Sequence, residues 1–196
     1  MPGAKQSVIS IGCIGLSRTD ADYYPVQVMN YKLGGSFNGY VNLVLREEKG
    51  FTYGARTGFS GSYIPGPFNA GASVRSTATL ESVQIFKDLM TKYSEGIPAE
   101  DLQFTKDALI KSNALQFETI GSQVGMLEEI SLYNLPKDYV KSQEAIVTKM
   151  DLAQHKALAQ KYINPSKMYY VIAGDAATQL EPLTEIGFGK PVLVEN

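Results

Sequence analysis

The chain opens with an apolar run that gives way to a helical period. Residues 8–16 are almost continuously apolar and contain β-branched side chains, which predicts a short buried strand. The next apolar residues recur at intervals of three or four and predict an amphipathic helix, formed by Tyr23, Val26, Met29 and Leu33. The glycine pair at residues 34–35 predicts the end of that helix and a tight turn into another.

A second helix is predicted between this glycine pair and Gly50. Its inward side is expected to carry a further set of residues at helical spacing, namely Phe37, Tyr40, Val41, Val44 and Leu45. After Gly50 the period changes, and residues 52–63 and 68–75 are predicted to be strands. The Ile-Pro-Gly-Pro sequence at residues 64–67 predicts the turn that joins them into a β-hairpin.

The second half of the chain is mainly helical. Residues 78–163 keep a helical period that glycine, asparagine and proline residues divide into several helices. Thr148 and Asp151 have the spacing of a capping box, which predicts that Thr148 opens the last of these helices. Residues 167–175 are predicted to form a strand, followed by a short helix and a tail strand around residues 192–194.

This order of elements predicts an α+β fold, with a mostly antiparallel sheet and helices packed on one face. The first strand and the late strand are too far apart in sequence for a hairpin, so we expect them to pair in the tertiary fold. A length of 196 residues fits one domain, and no repeat, low-complexity tract or linker divides it. Residues 1–196 are therefore expected to form a single domain.

Charge and hydropathy exclude several function classes. The net charge is −2 and the isoelectric point is near 5.5, so no basic field is expected to bind nucleic acid. No apolar run approaches the roughly 20 residues that span a bilayer, so membrane insertion is not expected. The first residues lack the apolar segment of a signal peptide. Both the bacterial cytoplasm and the periplasm stay open as the compartment.

Few side chains suit metal or nucleophile chemistry. The chain has one histidine, His155, and a single imidazole without clustered cysteines or carboxylates does not make a zinc site. We therefore expect this chain to bind no metal and no other cofactor, and we expect His155 to be packed or partly exposed on its helix. Cys13 is the only cysteine and is predicted to be a core thiol. No Gly-x-Ser-x-Gly nucleophile motif is tied to a histidine, so an independent hydrolase has little support.

Residues 45–54, Leu-Arg-Glu-Glu-Lys-Gly-Phe-Thr-Tyr-Gly, join a helical pattern to a strand pattern. Arg46 falls at the helix end and Tyr53 on the adjoining strand, so the two side chains could converge on one edge of the sheet. Their spacing alone leaves a structural interpretation open, in which the arginine offsets the helix dipole and the tyrosine is half-buried. Glu47 and Glu48 are adjacent and point in different directions, so we expect a solvated face instead of an acid–base pair.

The block also follows a Leu-Gly-Gly-Ser-Phe sequence at residues 33–37 and precedes Val-Ile-Ala-Gly-Asp at residues 171–175. In this combination the chain resembles the second, non-zinc half of the insulinase/pitrilysin-type zinc metallopeptidases. The resemblance covers residues 9–175 and implies the two-layer metallohydrolase-like fold of the mitochondrial processing peptidase type. The inverted zinc motif of the family, His-x-x-Glu-His, cannot be present in a chain with one histidine.

The resemblance implies a half-enzyme that is inactive alone. A homologous zinc-bearing domain or subunit would hold the zinc, and this chain would help to bind an extended peptide. Tyr53 would be catalytic as a donor to the scissile carbonyl oxygen, and Arg46 and Tyr53 together would bind the substrate. A phenol can stabilise developing oxygen charge, and an arginine fork suits main-chain carbonyls.

We also expect the peptide to be held by strand addition at a sheet edge. The alternative function is a degenerate structural or scaffold subunit with no direct role in peptide cleavage. A homodimer of the isolated domain is a further expectation, since the face towards the zinc half would be exposed.

Overall fold

Four antiparallel strands form the sheet in the computed structural model, which describes residues 1–115 and 117–194. The strands are β1 (Gln6–Ile14), β2 (Thr52–Gly61), β3 (Pro65–Arg75) and β4 (Tyr169–Ala173). Their order across the sheet is β2-β3-β1-β4, which makes β2 and β4 the edges. The first and late strands pair, with Val8 opposite Ala173 and Ser10 opposite Val171, as the sequence predicts. The α+β fold class is confirmed.

The helices follow the predicted order. They are α1 (Tyr23–Asn30), α2 (Tyr40–Asn42), α3 (Thr79–Ser94), α4 (Ala99–Leu115), α5 (Ile120–Leu132), α6 (Tyr139–Lys149), α7 (Leu152–Tyr162) and α8 (Ala176–Gln179). Two π-helical turns extend α1 and α2, at Tyr31–Gly35 and Leu43–Glu48. Short 3₁₀ turns occupy Ser76–Ala78, Pro165–Lys167 and Pro182–Ile186.

One face of the sheet carries the core. Alternate strand residues are buried beneath the helices, including Ile9, Ile11, Phe68, Ala70 and Val74. They join helix side chains in a continuous apolar cluster that includes Val26, Met29, Leu33, Phe86 and Met90. The other face of the sheet stays open. It presents polar residues such as Ser10, Arg56 and Asn69 together with exposed apolar residues such as Val8 and Val171. Burial of the first set on one face follows from the period-2 alternation of a strand.

Gly34 lies at the contact between the first helical layer and strand β2. A Cβ atom at this position would lie 2.7 Å from the backbone nitrogen and Oγ1 of Thr57 and 2.7 Å from Cγ2 of Val41. Glycine therefore allows the π-helical turn to pack directly against the edge strand. The glycine pair was predicted as a turn between helices, and the structure adds a packing requirement that the sequence did not reveal.

A mostly buried ion pair ties this layer to α4. Lys32 Nζ lies 2.9 Å from Asp101 Oδ1, and the two side chains are 11% and 18% exposed. The Tyr40 hydroxyl donates a hydrogen bond to the other carboxylate oxygen of Asp101. Burial, followed by this bond and the charge of Asp101, raises the pKa of Tyr40. The Lys32 ammonium also lies 4.6 Å from the ring centroid of Phe104.

Several local predictions are wrong. The second helix begins at Tyr40, because Ser36 and Gly39 are extended, and Phe37 is 54% exposed instead of inward. The Thr148 hydroxyl donates to Glu144 O at 2.9 Å within α6, so it does not cap α7. Asp151 is the N-cap of α7, and its side chain accepts from Gln154 N.

The C-terminal part of the hairpin and the tail also differ from the prediction. Pro65 and the next two residues belong to β3, so the turn lies at residues 62–64. Residues 192–194 form no strand in the structure. A proline-rich sequence favours a turn, but proline is also compatible with the first residue of a strand, which is the position of Pro65 in β3.

Candidate functional site

The chain reverses direction between the π-helical turn Leu43–Glu48 and strand β2. Gly50 has a φ of +62°, in the left-handed region that favours glycine. Its N–H donates to Arg46 O at 3.1 Å, and the Phe51 N–H donates to Leu45 O at 2.9 Å. These two bonds satisfy carbonyl groups at the helix end. The reversal places Arg46 on the helix end and the next residues at the start of the edge strand.

Arg46 has a hydrogen-bond donor that no group of the described chain satisfies. Its guanidinium carbon lies 4.6 Å from the ring centroid of Phe37. Glu47 Oε1 lies 3.2 Å from Arg46 Nη1 but off the direction of its N–H bonds, so the contact is ionic without a hydrogen bond. Nη1 is shielded from solvent and has no acceptor within residues 1–115 and 117–194. The Arg46 side chain as a whole is 34% exposed, so a carbonyl or carboxylate oxygen of a ligand can approach it at the surface.

Tyr53 lies on a β-bulge at the start of β2. Thr52 pairs with Val74 and Ala55 pairs with Ala72, so Tyr53 and Gly54 both stand opposite one residue of β3. Thr52 Oγ1 stabilises the bulge, because it accepts from Gly54 N at 3.1 Å and donates to Gly54 O at 2.9 Å.

The bulge carries the Tyr53 side chain out of the fold. Tyr53 is 95% exposed, and its hydroxyl makes no hydrogen bond in the part of the chain that the structure describes. The alternative of a half-buried core tyrosine is therefore wrong. The phenol is free to donate to a molecule outside this chain.

Arg46 and Tyr53 lie on consecutive elements at the same end of β2. No hydrogen bond, ion pair or ring contact joins the two side chains among the described residues. Glu47 and Glu48 are exposed on the outer side of the helix end, as predicted. The site therefore consists of one guanidinium and one phenol on either side of the Gly50 turn, both able to donate. The phenol has no acceptor among the described residues, and the guanidinium makes an ion pair with the neighbouring Glu47.

Three side-chain amides cover the outer edge of β2 beyond the bulge. Ala55 N donates to Asn42 Oδ1 at 3.1 Å, Asn30 Nδ2 donates to Thr57 O at 2.9 Å, and Gln27 Nε2 donates to Phe59 O at 3.1 Å. These backbone groups face away from β3 and would otherwise be available to another strand. Strand addition along residues 55–59 would have to displace the amides. These amide contacts were not predicted from the sequence, although an asparagine at a buried helix position is a recognisable signal.

A family model described as the peptidase M16 inactive domain matches residues 1–109, which is more than half of the chain. The chain belongs to this family. The predicted relationship to the non-zinc half of insulinase/pitrilysin-type zinc peptidases is therefore confirmed. No curated protein matches the sequence.

Solved structures share the fold of this M16 inactive domain. The peptidase M16 inactive domain from Pseudomonas fluorescens has a TM-score of 0.81 and 28% identity, and the match covers 89% of this chain and 42% of that one. A protease from Helicobacter pylori has a TM-score of 0.75 and 13% identity, with 88% and 42% covered. Complex III2 from Candida albicans contains a chain with a TM-score of 0.72 and 10% identity, with 95% and 48% covered. This chain thus spans less than half the length of each of these three proteins.

The described side chains of this M16 inactive domain form no group that fits a zinc ion. The sequence has one histidine. In the described ranges, no three histidine, cysteine, aspartate or glutamate residues group closely enough to hold a metal. Cys13 is half-buried, and burial raises the pKa of its thiol. None of the described helices combines the length and the apolar character needed to cross a membrane.

His155 is part of the core. It is 1% exposed, and its Nε2 lies 3.1 Å from the Tyr93 hydroxyl, which donates its proton to Met29 O. His155 Nε2 is therefore protonated and donates to the Tyr93 hydroxyl oxygen. Nδ1 has no partner within the described residues. Burial lowers the pKa of His155 from 6.5 to about 4. The sequence left His155 either packed or partly exposed, and the structure shows that it is packed.

The free energy of unfolding is expected to fall as the pH decreases from 6.5 to 4. A histidine of the unfolded chain titrates near 6.5, whereas folded His155 titrates near 4, so protons bind the unfolded chain more readily between these values. The loss is up to about 3 kcal/mol, since one pKa unit corresponds to about 1.4 kcal/mol. Urea unfolding at pH 7 and 4.5 measures it. A His155→Gln variant should lack this part of the pH dependence, and identical slopes in both proteins would contradict the prediction.

Proposed function

We propose that this chain is the non-zinc half of a peptidase, inactive alone, that helps to bind an extended peptide and completes a composite active site. The observation that carries the proposal is the pair of accessible donor side chains at the start of β2. Tyr53 is 95% exposed on a stabilised bulge, and the side chain of Arg46 is 34% exposed with Glu47 as its ionic partner in the described chain. Both side chains can approach oxygen atoms of a bound peptide. Membership of the M16 inactive-domain family supports this reading.

Each side chain has a distinct task in this proposal. Tyr53 donates a hydrogen bond to the scissile carbonyl oxygen, on which negative charge develops as the peptide bond is attacked. Arg46 holds main-chain carbonyl oxygens of the substrate with its planar fork of donors. Phe37 lies against the guanidinium and limits its motion, since the guanidinium carbon is 4.6 Å from the ring centroid.

The partner in this proposal is a homologous zinc-bearing half. The described residues contain no group of ligands for a metal, and the proposal assigns the zinc and its chemistry to the partner. The match covers 42% of the Pseudomonas fluorescens chain, which leaves room in such proteins for a second half of similar size. The partner half is either on the same polypeptide or on a separate one.

The covered edge of β2 restricts how a peptide can lie on this half. The amides of Gln27, Asn30 and Asn42 already bind the outward backbone groups of residues 55–59. The peptide therefore contacts this half through Arg46 and Tyr53, without main-chain pairing along residues 55–59 of β2.

A complementation assay tests the proposed function. Cleavage of an unstructured peptide is measured with added zinc for this chain alone, for a homologous zinc-bearing M16 half alone, and for the mixture. Activity in the mixture only is expected. Activity of this chain alone would contradict the proposal. Binding of the two halves without any cleavage would favour the structural subunit, an alternative that the similarity to a chain of Complex III2 from Candida albicans supports.

A further inference from the structure

We propose that Asn42 is a positioning residue that fixes Arg46 and Tyr53 relative to one another. The inference rests on the proposed function of these two residues. Asn42 is 3% exposed and lies one helical turn before Arg46. Both ends of its amide are bound to backbone groups. One belongs to Phe37, whose ring lies against Arg46, and the other belongs to strand β2, which carries Tyr53.

The nitrogen of the Asn42 amide acts on the arginine. Nδ2 donates to Phe37 O at 2.8 Å, which holds Phe37 in the extended segment just before α2. Phe37 is the residue whose ring lies against the Arg46 guanidinium. The exposed ring has little other packing, since it is 54% accessible to solvent. The bond from Asn42 therefore holds the backbone of Phe37, and with it the ring that lies against the Arg46 guanidinium.

The oxygen of the same amide acts on the tyrosine. Oδ1 accepts from Ala55 N at 3.1 Å, and Ala55 is the residue at which β2 resumes its pairing with β3 after the bulge. A Cβ atom on Gly54 would lie 4.0 Å from this oxygen, so the amide also lies under the bulge itself. The position of Ala55 sets one end of the bulge, and Thr52 sets the other. Asn42 thereby fixes the platform from which Tyr53 projects.

Loss of this amide would affect geometry more than contacts with substrate. Asn42 is buried, so it cannot touch a peptide, and its removal leaves two backbone groups without a partner. A displacement of about 1 Å at a catalytic group can lower the rate by about 10²-fold. An effect on the rate without a direct contact is the property of a positioning residue.

Asn30 provides a matched control on the same edge. It is 2% exposed, and its Nδ2 donates to Thr57 O at 2.9 Å while its Oδ1 accepts from Thr57 Oγ1 at 2.6 Å. Asn30 thus caps the same strand with the same amide chemistry and the same burial. It contacts neither the bulge nor Phe37. Truncation of Asn30 should reduce stability without displacing the two site residues.

The test compares Asn42→Ala and Asn30→Ala in the mixture with the zinc-bearing half, at a temperature where circular dichroism shows both variants folded. We expect Asn42→Ala to lower kcat at least tenfold and to raise KM, and Asn30→Ala to change either by less than about threefold. Asn42→Leu fills a similar volume without a charge and removes both bonds to Phe37 O and Ala55 N. The same loss of kcat is expected for it, and it keeps the test open if Asn42→Ala does not fold.

A double variant separates this inference from the proposed function. If Asn42 acts on the rate through Tyr53, then Asn42→Ala should change kcat much less in a Tyr53→Phe background than in the unmodified chain. Equal losses of kcat in the Asn42→Ala and Asn30→Ala variants would overturn the positioning role. Full activity of Tyr53→Phe would overturn the proposed function instead, because the inference about Asn42 presupposes that Tyr53 acts.

Discussion

A Tyr53→Phe change is expected to lower kcat of the combined peptidase by about 10²- to 10³-fold, with little change in KM. Only the hydroxyl is lost, so the ring and the bulge that carries it remain. A donor aimed at an oxygen that gains charge acts in the transition state more than in the bound substrate, and its removal costs about 3–4 kcal/mol in barrier height. The expectation depends on the position of Tyr53, which is 95% exposed with a free hydroxyl in the described structure.

Tyr169 offers a control for the loss of an exposed tyrosine hydroxyl. It is 80% exposed and lies on β4, the edge strand opposite β2. A Tyr169→Phe variant should cleave within about twofold of the unmodified rate. Steady-state kinetics on one unstructured peptide, with the same zinc-bearing half in excess, gives kcat and KM for both variants. Wild-type kcat in the Tyr53→Phe variant would exclude a catalytic role for this residue.

The sequence predicted the elements around this site, because each has a local signal. Gly50 ends the helix through its left-handed backbone, and the change from a helical to a strand period follows it directly. The pairing of β1 with β4 could also be predicted. The two strands are too far apart in sequence to form a hairpin, so each was expected to find its partner in the tertiary fold. The identities of Arg46 and Tyr53 as candidates came from the resemblance to a family, and their roles stay a prediction.

The details that position the site could not be read from local patterns. The bulge at Tyr53 depends on the register with β3 and on the bonds of Thr52 Oγ1 to Gly54. In the sequence, Asn42 is one polar residue of a predicted amphipathic helix. Its partner, Ala55 N, belongs to a strand that follows a turn, so a helical pattern cannot reveal the bond. The prediction for Thr148 was wrong for a similar reason. Two capping residues were available, and the bond between Asp151 and Gln154 N selects the second.

An Asp101→Ala change is expected to lower the free energy of unfolding by about 3 kcal/mol or more. It would leave the ammonium of Lys32, whose side chain is 11% exposed, without its carboxylate partner. It would also remove the acceptor of the Tyr40 hydroxyl. An uncompensated buried charge is costly because the protein interior solvates it poorly. Urea unfolding at pH 7, followed by circular dichroism, measures the loss.

A double change should recover much of this stability. In Lys32→Met with Asp101→Leu, both charges are replaced by apolar side chains of similar size, so no buried charge is left unpaired. The Lys49–Glu81 pair serves as a control, because its nitrogen–oxygen distance is 2.6 Å but its side chains are 44% and 51% exposed. Lys49→Met should cost less than about 1 kcal/mol, since water screens an exposed pair. If Asp101→Ala costs no more than Lys49→Met, the ion pair does not hold α4 against the layer that carries Asn42 and Arg46, and the rigidity of the site must come from the apolar core alone.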